Sequence, residues 1–318
     1  MHIFLPLLNI LFLFTLVVGC GGPQKADTAM DAKPLVVATT TQLSDLARQI
    51  GGDHIEVVSL MKPGVDPHSY QASAQDITNL HSADFVLFHG LSLEGKIARV
   101  LENVKKKGKF HFSPCVALPK EQLIQGEDTS APIDPHLWFS PDLWIQCGHL
   151  LSQKFSEFLP QNQESFASNF LQFKQSVKEL DHWGKALVGG LPETSRTLIT
   201  SHDAFRYFGR HFDIRVVALQ GINTIAEAGL ADRTNLVDFI RKHHSPALFV
   251  ESSVNPKALK EIARETGSVI GGTLFSDALG SDSQFAQGPK GENLPTSTWQ
   301  GMMAHNLRTI EKALQKTQ

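Results

Sequence analysis

One tripeptide occurs twice in this chain, and it is of a kind that can hold a metal ion. Asp66-Pro67-His68 lies within KPGVDPHSYQAS, and Asp134-Pro135-His136 lies within APIDPHLWFSPD. With 16 prolines and 14 histidines among 318 residues, chance gives far less than one copy, so two copies point to a shared constraint. Proline fixes its own φ and biases the residue before it toward an extended conformation. The histidine that follows leaves a stiffened loop at a fixed angle. Both copies follow strand-like segments and precede helical ones, the place where α/β folds gather ligands. A third histidine, His202, stands in TSHDAF directly behind the run RTLIT, and Asp277 stands in GTLFSDALG beyond the last strand-like run. A single one of these residues reads as a turn or a cap. Together they offer three imidazoles and one carboxylate, two from each half of the chain, a set suited to a borderline transition-metal dication.

Such a set needs elements that deliver loops to one place. Short apolar runs at 35–40 (LVVATT), 55–60 (IEVVSL) and 85–88 (FVLF) read as strands, with helical patterns at 44–50 and 74–82. The same pattern returns at 196–200, 215–218, 247–250 and 269–271, with helices at 230–243 and 256–266 between them. Apolar strands alternating with helices imply mainly parallel sheets covered on both faces. Between the two sets, Phe166, Phe170, Phe173, Val177, Leu180, Trp183 and Leu187 form an apolar stripe at helical spacing. The stripe predicts a helix about 38 Å long, stopped by Gly189-Gly190 and Pro192. The expected fold is therefore α/β with two lobes, 35–160 and 191–318, joined by one long rigid helix over 161–190. A helical joint is stiff, so small lobe motions are expected rather than wide closure.

The N-terminus reads as a processing signal. Residues 3–18 are almost wholly apolar, short of the roughly 20 that span a bilayer, and they end in Leu16-Val17-Val18-Gly19-Cys20. This resembles the lipoprotein box of bacterial exported proteins, with a signal peptide at 1–19, a lipidated Cys20 and a flexible tether at 20–34. The n-region departs from the pattern, since it carries His2 and no Lys or Arg. Elsewhere the composition excludes more than it specifies. A balance of 29 basic and 32 acidic residues argues against nucleic acid as the partner. Three cysteines exclude a disulfide-stapled scaffold, and Cys115 and Cys147 either pair or stay as buried thiols.

DPHSY, DPHLW, SHDAFRYFG, ALFVESSV and LFSDALG, in this order behind a lipobox, resemble the cluster A-I, TroA-like metal receptors of bacterial ABC importers, solute-binding protein family 9. The resemblance runs from about residue 35 to the end and includes the segment 301–306 (GMMAHN) of the family's last helix. It implies a monomeric receptor, lipid-anchored outside the cytoplasm, on the periplasmic side where an outer membrane exists. That receptor would bind one zinc, manganese or iron ion between its lobes and pass it to a permease driven by a cytoplasmic ATPase. Carried over position by position, the ligands are His68, His136, His202 and Asp277. Two departures bear on the metal. Zinc-dedicated relatives carry a long histidine-rich loop before the second histidine motif, whereas 119–132 here is short and has no histidine. Many manganese-dedicated relatives have glutamate where this chain has His202.

Around these four, Asp66, Asp134 and Glu251 are candidate acceptors for imidazole N–H groups. Tyr70, Trp138 and Tyr207 are candidate walls against water. The histidines at 54, 81, 89, 111, 149, 182 and 211 have no repeated context and read as structural. The alternative readings are a metal-dependent hydrolase and a surface adhesin with a structural metal. A catalytic zinc keeps an open coordination place, and the chain has no HExxH helix, GxSxG elbow or P-loop, so no enzyme is expected.

Overall fold

Alternating burial in short strands builds the N-terminal lobe. The computed structural model describes residues 1–2, 32–106, 108–128, 131–243 and 247–315. Cys20 and the apolar leader lie outside the described residues. Strands β1 (Leu35–Ala38), β2 (Glu56–Ser59), β3 (Phe85–Leu87) and β4 (Phe110–Phe112) pair in parallel in the order β2-β1-β3-β4. Val36, Ala38, Phe85 and Leu87 face one apolar cluster, while Val37 and Val86 face another. Both faces are covered, as a parallel sheet requires. Helix α1 (Thr41–Gly51) lies on the first face. Helices α2 (Ala74–Ser82) and α3 (Ala98–Lys105) lie on the second, through Leu80, Leu101 and Val104. Helix α2 opens with a capping box between Ser73 and Asp76. A hairpin of β5 (Gln125–Asp128) and β6 (Ala131–Ile133), then α4 (Pro141–Phe158), complete this half.

The expected joint is α5 (Gln163–Gly189). Phe166, Phe173, Val177 and Leu180 of its stripe are buried, and Phe170, Trp183 and Leu187 are partly so. Gly148 on α4 makes room for the Phe173 ring, whose nearest atom would lie 2.7 Å from a Cβ placed there. The C-terminal lobe follows. Here β7 (Thr197–His202) pairs in parallel with β8 (Arg215–Gln220) across α6 (Arg206–Phe212). After α7 (Leu230–His243), β9 (Ala247–Glu251) pairs in parallel with β10 (Val269–Leu274) across α8 (Lys257–Thr266). A ribbon of β11 (Phe285–Gln287) and β12 (Asn293–Pro295) precedes α9 (Trp299–Gln315), which returns onto α5 and β10.

The lobes share one continuous core. Val36 and Trp138 from the first half belong to the same apolar cluster as Phe205, Phe249 and Trp299 from the second. Polar contacts stitch the same seam. Trp299 donates from Nε1 to the Trp138 carbonyl (2.8 Å) and from its backbone N–H to Asp45 (2.8 Å). Leu279 N–H donates to Thr41 Oγ1 (2.8 Å), and Tyr207 Oη donates to the Asp134 carbonyl (3.0 Å).

Strand ends depart from the sequence reading. β7 runs on from Thr200 to His202, and β10 continues through Gly271-Gly272, with a register shift, to Leu274. The extension of β7 has a physical cause: Glu251 Oε1 accepts the N–H groups of Ser201 (2.8 Å) and His202 (2.9 Å). This gives buried backbone donors a partner where the polar residue types suggest a turn.

Candidate metal centre

Each of the four candidate residues sits where a strand or a Pro-stiffened loop ends. His68 lies in the loop from β2 to α2, and His136 lies just before a short 3-10 turn, Leu137–Phe139. His202 is the last residue of β7, and Asp277 lies three residues beyond β10. All four are buried, at 2% exposure or less. One donor atom from each lies within 4.8 Å of the others. His68 Nε2 is 3.4 Å from His136 Nε2. Asp277 Oδ1 is 3.3 Å from His136 Nε2, and Asp277 Oδ2 is 3.1 Å from His202 Nε2. A tetrahedral ion with bonds of about 2.05 Å separates its donors by about 3.3 Å. These three edges match that figure. The two oxygens of Asp277 face different imidazoles, so the carboxylate can bind through one oxygen or both.

Three of the four are braced. Asp134 Oδ1 accepts from both the backbone N–H (2.9 Å) and Nδ1 (2.7 Å) of His136, which fixes the tautomer that presents Nε2 inward. Trp138 packs edge-on to His136 at 5.3 Å and donates from Nε1 to the Ser276 carbonyl (3.1 Å). Glu251 positions the backbone of His202, and its Oε2 lies 2.5 Å from His202 Nδ1. Asn306 holds both sides of Phe275: Phe275 N–H donates to Oδ1 (2.9 Å) and Nδ2 donates to the Phe275 carbonyl (2.7 Å), two residues before Asp277.

Two sequence expectations are corrected. Asp66 does not serve the His68 ring; its Oδ1 accepts the backbone N–H of His68 (2.9 Å) and closes the turn. The buried Nδ1 of His68 has no hydrogen-bond partner. Tyr70 is no wall: it is half-buried, packs with the cluster under α2 and α3, and donates to Asp76 (2.6 Å). Tyr207 acts at one remove, by holding the carbonyl of Asp134 and accepting the Ile124 N–H (2.9 Å).

The electrostatics favour positive charge at the centre. Burial alone lowers the His136 pKa, but Asp134 and Asp277 outweigh it and raise it to about 9. Burial likewise opposes the charged form of His202, and Asp277 and Glu251 override it, so its pKa is well above the usual imidazole value. Asp277 would be driven up by burial, yet His202 and His136 hold it well below the ordinary carboxylate value. His68 differs: burial dominates and lowers it to about 4. The contacts of His202 with Asp277 and Glu251 are at ion-pair distance but off the hydrogen-bond angle. Both ring nitrogens of His202 and both oxygens of Asp277 therefore remain without a hydrogen-bond partner. Buried polar atoms left so are costly, and a dication answers Asp277 and His202 Nε2 together.

Some participants carry no sequence signal. His89 is fully buried, with Nε2 2.7 Å from the Pro135 carbonyl and its ring edge-on to Trp138, so it supports the second DPH turn. Glu94 in turn accepts the N–H groups of His89 (2.7 Å) and Gly90 (2.8 Å). Gln42 and Asp45 brace the seam, through the Ser276 carbonyl and the Trp299 N–H, and Asn306 braces the Asp277 loop within its own lobe. Cys115 and Cys147 are free, buried thiols.

Known proteins are similar to this chain in sequence and fold. The family model described as zinc-uptake complex component A, periplasmic (ZnuA), matches residues 36–313. The manganese-binding lipoprotein MntA of Bacillus subtilis is 41% identical over 310 residues, covering 96% of this chain and 97% of that protein. The zinc-binding protein TroA of Treponema pallidum is 36% identical over 293 residues, covering 91% of each. The solved structure of the periplasmic zinc-binding protein TroA from Treponema pallidum superposes with a TM-score of 0.82 at 33% identity, covering 89% of this chain and 99% of that one.

Proposed function

This chain belongs to the ZnuA family of metal-uptake components, and from that premise we propose that it captures one divalent transition-metal ion outside the cytoplasm and delivers it to an ABC permease. The observation that carries the reading is the meeting of His68, His136, His202 and Asp277, two from each lobe, with donor atoms within 4.8 Å in a buried cage. Each would bind the ion directly. Asp134 and Glu251 would orient two of the imidazoles, and Trp138 would keep water from the third side. The ion arrives hydrated and exchanges its water for these donors. Four protein ligands leave no place for a catalytic water, so the centre is a carrier's rather than a hydrolase's. Cys20 would carry the lipid that tethers the receptor to the membrane, and a cytoplasmic ATPase would drive the permease.

The cargo is zinc or manganese, with iron as a third candidate. One relative is named for manganese and another for zinc. Three imidazoles with one carboxylate bind zinc more tightly than manganese by the ordinary affinity order, so which ion is carried depends on which is available. The test combines binding and uptake. His136→Ala and Asp277→Ala should each weaken zinc and manganese binding by at least about 100-fold, since each removes a direct ligand. Both should also fail to restore metal uptake to cells lacking the receptor. Full binding or full uptake by either variant would remove the basis of the reading.

A further inference from the structure

The four proposed ligands are enclosed, so one of them must yield before an ion enters or leaves, and they are not held equally. The His136 ring is held at Nδ1 by Asp134, His202 is held through its backbone N–H by Glu251, and Asp277 follows Phe275, whose backbone Asn306 holds on both sides. They sit beside the large core that unites the lobes. His68 has only a backbone bond to Asp66 within its own turn. It lies in the irregular loop between β2 and α2, its Nδ1 has no partner, and the neighbouring Val65, Tyr70 and Ala72 pack against a smaller satellite cluster.

One bond that fixes this loop comes from the other lobe. Asp66 Oδ1 accepts the His68 backbone N–H, and Asp66 Oδ2 accepts from Ser69 Oγ (2.8 Å) and from Thr224 Oγ1 (2.6 Å). Thr224 belongs to the 221–229 segment between β8 and α7. Cavities of about 600 and 510 Å³ are both lined by this segment, and Ile225 within it is 54% exposed. The segment is thus under-packed, and its Thr224 hydroxyl clasps the loop that carries the least-braced ligand.

We propose that Thr224 is a positioning residue that acts through Asp66 to hold His68 on the ion, and that release of this clasp lets His68 leave first while the other three ligands stay in place. The inference rests on the receptor function proposed above and assigns the order in which that site opens. Breaking the Thr224–Asp66 bond should raise the rate of metal escape without changing how many ions are bound.

The experiment is stopped-flow release of Zn²⁺ from the loaded soluble protein into excess chelator. It compares wild type with Thr224→Val, Thr224→Ser, Asp66→Ala and the double variant Thr224→Val/Asp66→Ala. Thr224→Val keeps the shape and loses the hydroxyl, and should raise the release rate about tenfold, the scale of one hydrogen bond to a charged group. Thr224→Ser should release at close to the wild-type rate. In the double variant the Thr224 substitution should add nothing to the effect of Asp66→Ala. All should bind one equivalent. Equal release from the Val and wild-type proteins, equal acceleration in Val and Ser, or additive effects in the double variant would each overturn the assignment while leaving the receptor function intact. Failure of the wild type to bind any Zn²⁺ would instead overturn the function on which it rests. Should Thr224→Val fail to fold, Thr224→Ala tests the same bond against the serine variant.

Discussion

Metal affinity should climb steeply with pH through neutrality. The cause is competition with protons. In the metal-free protein His136 has a pKa of about 9, and His202 is also held well above the usual imidazole value, each because carboxylates outweigh burial. At pH 7 His136 is protonated in roughly 99% of molecules, which weakens binding about 100-fold, or about 2.7 kcal/mol, relative to the neutral ring. His202 adds a second proton in the same direction. His68, lowered to about 4, adds none at neutral pH. Release of the His136 proton alone makes log affinity rise by about 1 per pH unit, or about 100-fold between pH 6 and 8, and the proton on His202 steepens that rise. Chelator competition with Zn²⁺ from pH 6 to 9.5, corrected for protonation of the chelator, gives the slope. Calorimetry at pH 7 in two buffers of different ionisation enthalpy gives the proton count. A plateau beginning at pH 7, or fewer than one proton released, would refute the reasoning, because the imidazoles would then already be neutral.

Thermal stability should show the same linkage. His136 and His202 have folded pKa values above their unfolded ones, so their contribution is complete below about pH 6.5 and is lost as pH rises through the folded values. Asp277, depressed in the fold, contributes above the ordinary carboxylate value and loses this only as pH falls through its folded pKa. The Tm of metal-free protein should therefore drop between pH 7 and 9.5 while that of loaded protein holds, seen by calorimetry as a widening gap. Glu251→Gln should weaken Zn²⁺ affinity by about 10- to 100-fold, as loss of a buried orienting carboxylate does. Tyr70→Phe should leave affinity within about twofold, since its hydroxyl binds Asp76. Metal saturation should leave the radius of gyration in solution scattering unchanged within error. Exposing Trp138 and Trp299 alone, at roughly 200 Å² each and about 25 cal/mol/Å², costs about 10 kcal/mol.

Much of this was legible because it rested on strong local rules. Helices Ala74–Ser82 and Leu230–His243 fall where periodicity puts them, since apolar spacing and caps act within a few residues. The DPH turns stood out because proline and histidine constrain geometry by their type. His202 and Asp277 were found by their place after strands, not by a motif of their own. What escaped depends on tertiary contact. Nothing near His89 in the sequence reveals the Pro135 carbonyl 46 residues away, and nothing near Asn306 reveals Phe275. Asp66 and Asp134 occur in identical tripeptides yet differ in role. Asp134 is fully buried against His136, while Asp66 reaches out to Thr224 in the other lobe. The short ribbons β5–β6 and β11–β12 lacked alternation long enough to read.

Anomalous diffraction from crystals of the Zn²⁺-loaded protein tests the central claim most directly. A single strong peak at the zinc edge, within about 2.0–2.2 Å of His68, His136, His202 and Asp277, is the expected result. A peak elsewhere, or an empty cage in protein that carries one equivalent of zinc, would contradict it.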